Sequence, residues 1–387
     1  MKKLTFFAII IIAVGAFAYF YWQDKIPDGS APPNGNVQNG NPHGNTPAVT
    51  VVAENLEIPW DIAFLPDGNM LVSERPGRLS VLYKNGERDI IFEGDAEHVG
   101  EGGLLGIALH PKFNENHFIY LYLTVLRESA PASPDAPLGS RGGRTENRVE
   151  RWRFENDKLA DKKLIIEKIP GAPYHDGGRI EFGPDEFLYI ATGDATQGNL
   201  AQDKNSLAGK ILRLEDDGGI PEDNPFKTAV YSYGHRNPQG LAWDSEGRLW
   251  STEHGRSGVL SGLDEINLIR AGGNYGWPTI QGDETKAGMI SPVLHSGPNK
   301  TWAPASLAYL NKKLYFGGLR GEALYEAIIE GEKVINFKEH FFKEFGRIRT
   351  VRVGPDGMLY LTTSNRDDRG TPKAGDDKII KINPKKL

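Results

Sequence analysis

Hydrophobic and polar positions follow one phrase that recurs six times along this chain. Each copy is a short apolar strand, a turn built on Pro, Asp or Gly, and a second strand ending in small or polar residues. The copies are Ile58–Glu74, Leu104–Leu123, Gly178–Asp194, Pro238–Glu253, Ala303–Gly318 and Ile348–Ser364. Repeats of this size, each a hairpin plus following strands, are the sequence signature of a β-propeller. The turn markers Pro66, Pro111, Pro184, Asp244, Leu310 and Pro355 are 45, 73, 60, 66 and 45 residues apart, which leaves room for four strands per blade. Later strands recur in phase at Gly77–Tyr83, Asn147–Phe154, Gly209–Glu215, Asp264–Arg270, Gly321–Ile328 and Asp376–Ile382. The strand Ala48–Ala53 has no partner in its own repeat, so it is expected to complete the last blade and remove the exposed edge. The expected fold is all-β, a six-bladed propeller with four-stranded blades. The long insertions Arg127–Thr145 and Asp216–Thr228 are expected on one rim.

A propeller gathers equivalent positions of every repeat around one axis, so a site can be assembled by phase. Upstream of the inner strands, His175 lies nine residues before Pro184, Glu101 ten before Pro111 and Arg236 eight before Asp244. Thr301 lies nine before Leu310, and Arg347 and Arg349 eight and six before Pro355. The returning strands add Asp194, Glu253 with His254 and Gly255, Arg320, and Ser364 with Asn365. Periodicity thus predicts a mouth lined by two His, an Asp, two Glu and four Arg. Four guanidiniums around one funnel repel one another unless an anion lies between them, and Arg suits bidentate contact with carboxylate or phosphate. The mouth calls for a polyanionic ligand. Asp194 returning beside His175 gives an imidazole held by a carboxylate, the arrangement a general base requires.

Asp264-Glu265 followed by the Gly-rich turn Gly272–Pro278 combines acidic side chains with exposed carbonyls, the ligand set of a hard cation such as Ca²⁺. There is no Walker loop, dinucleotide fingerprint or zinc-type His pair.

Composition narrows the class. The 387 residues are 39% hydrophobic and 25% charged, with 46 Gly and no Cys. Thiolate metal sites, Cys nucleophiles and disulfides are excluded. A net charge of −6 argues against nucleic-acid binding. Lys2 and Lys3 precede an apolar run from Leu4 to Trp22, 19 residues long, which is about the length needed to span a bilayer. An uncleaved membrane anchor at 1–23 is expected in preference to a cleaved signal, with the rest of the chain outside the cytoplasm. Residues 24–48 are rich in Pro, Gly and Asn and read as a tether, with the propeller domain at 49–387.

The phrases His175-Asp-Gly-Gly-Arg179, Thr192-Gly193-Asp194, Gly234-His-Arg-Asn-Pro-Gln-Gly240 and the stretch Asp264–Pro278 resemble the soluble quinoprotein sugar dehydrogenases, in particular the aldose sugar dehydrogenases of the glucose/sorbosone dehydrogenase family. The resemblance covers roughly residues 50–385. It implies a six-bladed propeller holding pyrroloquinoline quinone (PQQ) and Ca²⁺ in its mouth, and oxidation of an aldose at its anomeric hydroxyl. It implies further that His175 is the base, that Asp194 orients it, and that Arg236 lies near the quinone oxygens with Asn237 beside it. Arg320, Arg347 and Arg349 would hold the cofactor carboxylates, with Glu101 and Thr301 at the same site. The carbonyls of Gly255 and Arg256 would reach the cofactor's Ca²⁺, and Glu265 with Tyr275 would bind a second, structural one. The electron acceptor would be a quinone or small redox protein. Glu101 stands where relatives usually have Gln, Arg320 where some have Lys, and the loop after Pro278 departs from the family pattern. Two other classes fit a propeller. A Ca²⁺-dependent lactonase would need carboxylate and amide ligands gathered on the axis, and a non-enzymatic binding module would not need His175 with Asp194.

Overall fold

Among the described residues the strands form six four-stranded antiparallel sheets, one for each repeat phrase. A computed structural model describes residues 48–127, 145–258 and 261–387, and the apolar run and tether lie outside them. The inner hairpins coincide with the phrases read from the sequence. They are β2–β3 (Pro59–Phe64, Met70–Glu74), β6–β7 (Leu104–Leu109, Phe118–Leu126), β10–β11 (Ile180–Phe182, Leu188–Thr192), β14–β15 (Pro238–Trp243, Leu249–Glu253), β18–β19 (Pro304–Leu310, Lys313–Gly318) and β22–β23 (Ile348–Val353, Leu359–Thr363). β1 (Val49–Ala53) pairs antiparallel with β24 (Ile379–Ile382), which makes it the outer strand of the sixth sheet and closes the ring.

Six buried clusters fill the seams between neighbouring blades. The largest packs Tyr120, Tyr122 and Val149 of the second blade against Ile180, Leu188, Ile190 and Leu212 of the third. The last seam sets Leu56, Ile62 and Val72 against Tyr360 and Ile379. Apolar residues on both faces of each sheet explain why the strands alternate so weakly in hydrophobicity.

Inner strands crowd the axis, and polar side chains there are paired. Asp61, fully buried, bonds Arg352 Nη2 at 2.8 Å and also pairs with Arg179. Arg179 Nε donates to Gln239 O at 3.1 Å, and Thr350 Oγ1 donates to Trp60 O at 2.6 Å. These contacts tie blades one, three, four and six together across the axis.

Five of the six inner hairpins carry a register shift near the start of the inner strand, as between Ile348 and Val351 or Pro238 and Gly240. Bulges re-aim side chains at a barrel or propeller rim. Of the two long insertions, Arg127–Thr145 falls almost wholly outside the described residues. Asp216 follows β12 (Lys210–Leu214) and bonds His110, which ends β6, so this loop lies on the face opposite the inner-strand starts. β7 ends and β8 (Thr145–Glu155) begins on the other face, where the chain passes outside the described residues.

Candidate active site

A cavity of about 470 Å³ opens where the inner strands begin. His175, Glu101, Arg236, Thr301, Arg320 and Arg347 all reach its wall, as do His254, Gly255 and Arg256. Phase counting along the sequence therefore brings residues from five blades to one place.

His175 is held by covalent geometry as well as by hydrogen bonds. Its φ is 65°, the left-handed region that costs a non-glycine residue strain. Its backbone N donates to Glu101 Oε2 at 3.0 Å, and Ala195 N donates to its carbonyl at 3.3 Å. A Cβ at Gly193 would lie 1.8 Å from that carbonyl oxygen, so only glycine permits this approach. The ring points Nδ1 at Asp194 Oδ1, 2.7 Å away. Asp194 is buried, and it also accepts from Thr196 N at 2.8 Å and, through Oδ2, from Trp277 Nε1 at 2.8 Å. A carboxylate fixed by three donors selects the Nδ1–H tautomer of His175 and leaves Nε2 as the nitrogen able to accept a proton.

The cationic residues show the fit to an anion most directly. Among the described residues no carboxylate lies within ion-pair distance of Arg236, Arg256 or Arg320, although the chain carries an excess of acidic residues. Arg236 spends Nη2 on Ser257 Oγ at 2.7 Å, and its buried Nε has no partner. The Nε2 of His254 and the Nε of Arg256 are orphaned in the same way. Buried donors without acceptors are costly in a finished protein, and here they surround a cavity. Burial lowers the pKa of Arg236 and pushes His254 down to about 4, so the imidazole is neutral at physiological pH.

Glu101 lies on the cavity wall and is held there by charged neighbours. Burial favours its protonated form, but Arg369 and His254 hold its pKa down at about 2. Both oxygens are engaged, one by the backbone of His175 and one by Arg369 Nη1 at 2.8 Å. Arg349 and Asn237 depart from expectation, since neither reaches the cavity wall. Arg349 lies two residues further down the inner strand, in the axis, where Nη1 donates to Gln239 Oε1 at 2.7 Å. Burial lowers its pKa to about 9. Asn237 is buried behind the His175 turn and accepts from Gly177 N at 3.0 Å. Ser364 and Asn365 brace the Asp367 and Asp376 loop rather than the cavity.

Glu253 points away from the mouth. It bonds His235 Nδ1 at 2.9 Å and the backbone N of Arg236. With Glu265 and Tyr275 it lines a narrow cleft beside the main cavity. Burial and then the Glu253 charge raise the Glu265 carboxyl to about 8.

Several participants were not found from sequence. Asp264, read only as a cation ligand, is a hub. Oδ1 accepts from Gly255 N at 2.9 Å, while Oδ2 accepts from Thr301 Oγ1 at 2.8 Å, Trp302 N at 2.6 Å and Ala303 N at 3.0 Å. Tyr174 and Arg369 stand on the rim, with the guanidinium 5.4 Å from the ring centre. Tyr174 precedes a residue that was found. Arg369 comes from a loop with no fixed place in the repeat, and no sequence signal marked it.

A propeller whose mouth combines a carboxylate-held imidazole with guanidiniums that have no carboxylate partner belongs among the oxidoreductase propellers. Residues 56–371 match the glucose/sorbosone dehydrogenase family, and the chain belongs to that family. It is 32% identical over 348 residues to aldose sugar dehydrogenase YliI of Escherichia coli, covering 81% of this chain and 89% of that one. It is 33% identical to quinoprotein glucose dehydrogenase B of Acinetobacter calcoaceticus, over 65% of this chain and 56% of the relative. The PQQ-bound aldose sugar dehydrogenase of Streptomyces coelicolor superposes with a TM-score of 0.77 at 37% identity, covering 87% of this chain and 98% of that structure.

Proposed function

We propose that the protein is a PQQ-dependent dehydrogenase that oxidises the anomeric C1 hydroxyl of aldose sugars to the lactone. The observation that carries this reading is the His175–Asp194 pair beside a cavity in which Arg236, Arg256 and Arg320 have no carboxylate partner among the described residues. Arg320 and Arg347 would hold the carboxylates of PQQ, and Arg236 would face its quinone oxygens. The carbonyls of Gly255 and Arg256 would reach a Ca²⁺ beside the cofactor, a hard cation that takes oxygen ligands. Bound PQQ supplies the acceptor for a hydride, which the protein's own side chains cannot supply.

The chain's part is proton handling, orientation and charge. His175 Nε2 accepts the proton of the C1 hydroxyl as hydride leaves that carbon. The imidazolium formed is stabilised by Asp194, whose position Trp277 and Thr196 fix. Arg236 stabilises negative charge that develops opposite the sugar. Arg349 and Asn237 act at one remove: Arg349 supports the floor through Gln239, and Asn237 supports the turn carrying His175. Glu265 and the Tyr275 carbonyl would hold a second, structural Ca²⁺, whose charge would draw the proton from the Glu265 carboxyl.

Dye-linked aldose oxidation by the full chain, prepared as apoprotein with and without PQQ and Ca²⁺, tests the reading. Activity should require both, and His175→Ala should abolish it while PQQ still binds by calorimetry. No PQQ binding would overturn the proposal. The lysine-flanked run Leu4–Trp22 supports a membrane anchor with the domain outside the cytoplasm, delivering electrons to a quinone or small redox protein. Recovery of the full chain in a soluble cytoplasmic fraction would refute that placement.

A further inference from the structure

Glu101 is the one carboxylate on the cavity wall that touches the backbone of His175, and it does so while paired to a rim arginine. Oε2 accepts from His175 N at 3.0 Å, and Oε1 accepts from Arg369 Nη1 at 2.8 Å. Arg369 is itself fixed. Its guanidinium lies over the Tyr174 ring, and its backbone N donates to Asp367 Oδ1 at 3.2 Å. The other oxygen of Asp367 bonds Arg347 Nη2 at 2.8 Å and Nε at 3.1 Å. A continuous path thus runs from Arg347 through Asp367 and Arg369 to Glu101 and His175, joining the sixth blade to the third.

From this geometry we infer that Arg369 is a positioning residue for the reaction, fixing the strained His175 backbone through Glu101. The inference rests on the dehydrogenase reading of the site and deepens it. The physical need is specific. His175 sits at φ 65° and must be held there from outside. Glu101 can hold it only as an acceptor, and an ionised carboxylate in a half-closed cavity needs a counter-charge. Arg369 and His254 lie nearest to it, Arg75, Arg236 and Arg349 add positive charge further off, and Asp176 adds a negative one. Of these, Arg369 alone makes an ion pair with Glu101.

If Arg369 serves only to neutralise and orient Glu101, a neutral acceptor in place of Glu101 should make Arg369 dispensable. The test is a four-member cycle of wild type, Arg369→Ala, Glu101→Gln and the double variant, with Arg369→Lys as the conservative control. Arg369→Ala should lower kcat at least tenfold and change PQQ affinity of the apoprotein, by calorimetry, less than threefold. Adding Glu101→Gln should return kcat to within about threefold of wild type, and Arg369→Lys should fall between. A double variant no better than Arg369→Ala, or an Arg369→Ala enzyme with wild-type kcat, overturns the inference.

Apoprotein melting separates this result from failure of the functional reading. The Glu101 pKa is lowered from 4.5 to about 2, so its stabilisation is present above about pH 4.5 and lost as pH falls toward 2. The Tm advantage of wild type over Glu101→Gln should shrink over that range and be clearly smaller in the Arg369→Ala background. An advantage undiminished without Arg369 refutes the pairing whether or not any aldose is oxidised. Normal pairing in a protein that oxidises no aldose refutes the assigned reaction, and with it the positioning role.

Discussion

Asp194→Asn isolates the charge on the His175 dyad with the least change of shape. The carboxylate receives three donors, His175 Nδ1 and Thr196 N on Oδ1 and Trp277 Nε1 on Oδ2. An amide cannot satisfy all three. With its oxygen toward His175, the NH₂ faces the indole N–H and strands a buried donor, at a cost of about 1–3 kcal/mol. With its oxygen toward Trp277, the NH₂ faces Nδ1, which must become the acceptor, and the proton moves to Nε2, where the base function is lost. Either way the imidazolium loses its anionic partner. Loss of a well-placed general base lowers turnover by about 10²–10⁴-fold. The expected result is therefore a kcat reduction in that range, with PQQ affinity nearly unchanged and a modest fall in Tm. Steady-state dye-linked kinetics across pH, together with calorimetry on the apoprotein, would show it. A variant with kcat within threefold of wild type and the same pH profile would refute the role assigned to both residues.

Gly193→Ala would put a methyl 1.8 Å from the His175 carbonyl oxygen. The shift of an ångström or more that follows should reduce kcat about 10²-fold, and crystallography of the variant would show the His175 turn displaced. Asp176 is buried, with Oδ2 unpartnered, and burial raises its carboxyl from 3.8 to about 7. The folded state therefore holds a proton that the unfolded state releases, and stability falls as pH rises between about 4 and 7. Asp176→Asn should raise Tm at pH 8, by an amount on the order of a few kcal/mol in stability, and do little at pH 4; equal effects at both pH values would contradict the assignment. Chelation of divalent cations should lower the Tm of the loaded protein, and Ca²⁺ added back at about 100 times its dissociation constant should restore roughly 2.7 kcal/mol. A Tm and PQQ affinity indifferent to chelator would remove Ca²⁺ from the proposal.

The propeller was legible because the repeat carries its own punctuation. Strand pairs such as Pro238–Trp243 and Leu249–Glu253 fall inside the phrase Pro238–Glu253 because the turn Asp244–Arg248 is written in turn-forming residues, and Asp244 caps it through Oδ1. Ring closure was legible from an orphan strand. The outer strands were not, because sequences such as Lys158–Pro170 carry exposed and half-buried residues with no turn marker in phase.

Within the site, residue type and phase together located His175, Asp194, Arg236, Thr301, Arg320 and Arg347, but they misplaced Arg349. The cause is local. Counting back from a turn assumes an unbroken ladder, and five of the six inner strands are bulged near the mouth. On β22 the shift between Ile348 and Val351 leaves Arg347 on the cavity wall beside Asp367 and sends Arg349 into the axis toward Gln239. Two arginines two residues apart thus perform different tasks, one facing the ligand space and one beneath it. Arg369 shows the converse, a loop residue with no phase at all that reaches Glu101 because the ring brings the sixth blade round to the second. Sequence periodicity reports which blade a residue belongs to, whereas bulges and ring closure decide whether its side chain meets the ligand or its neighbours.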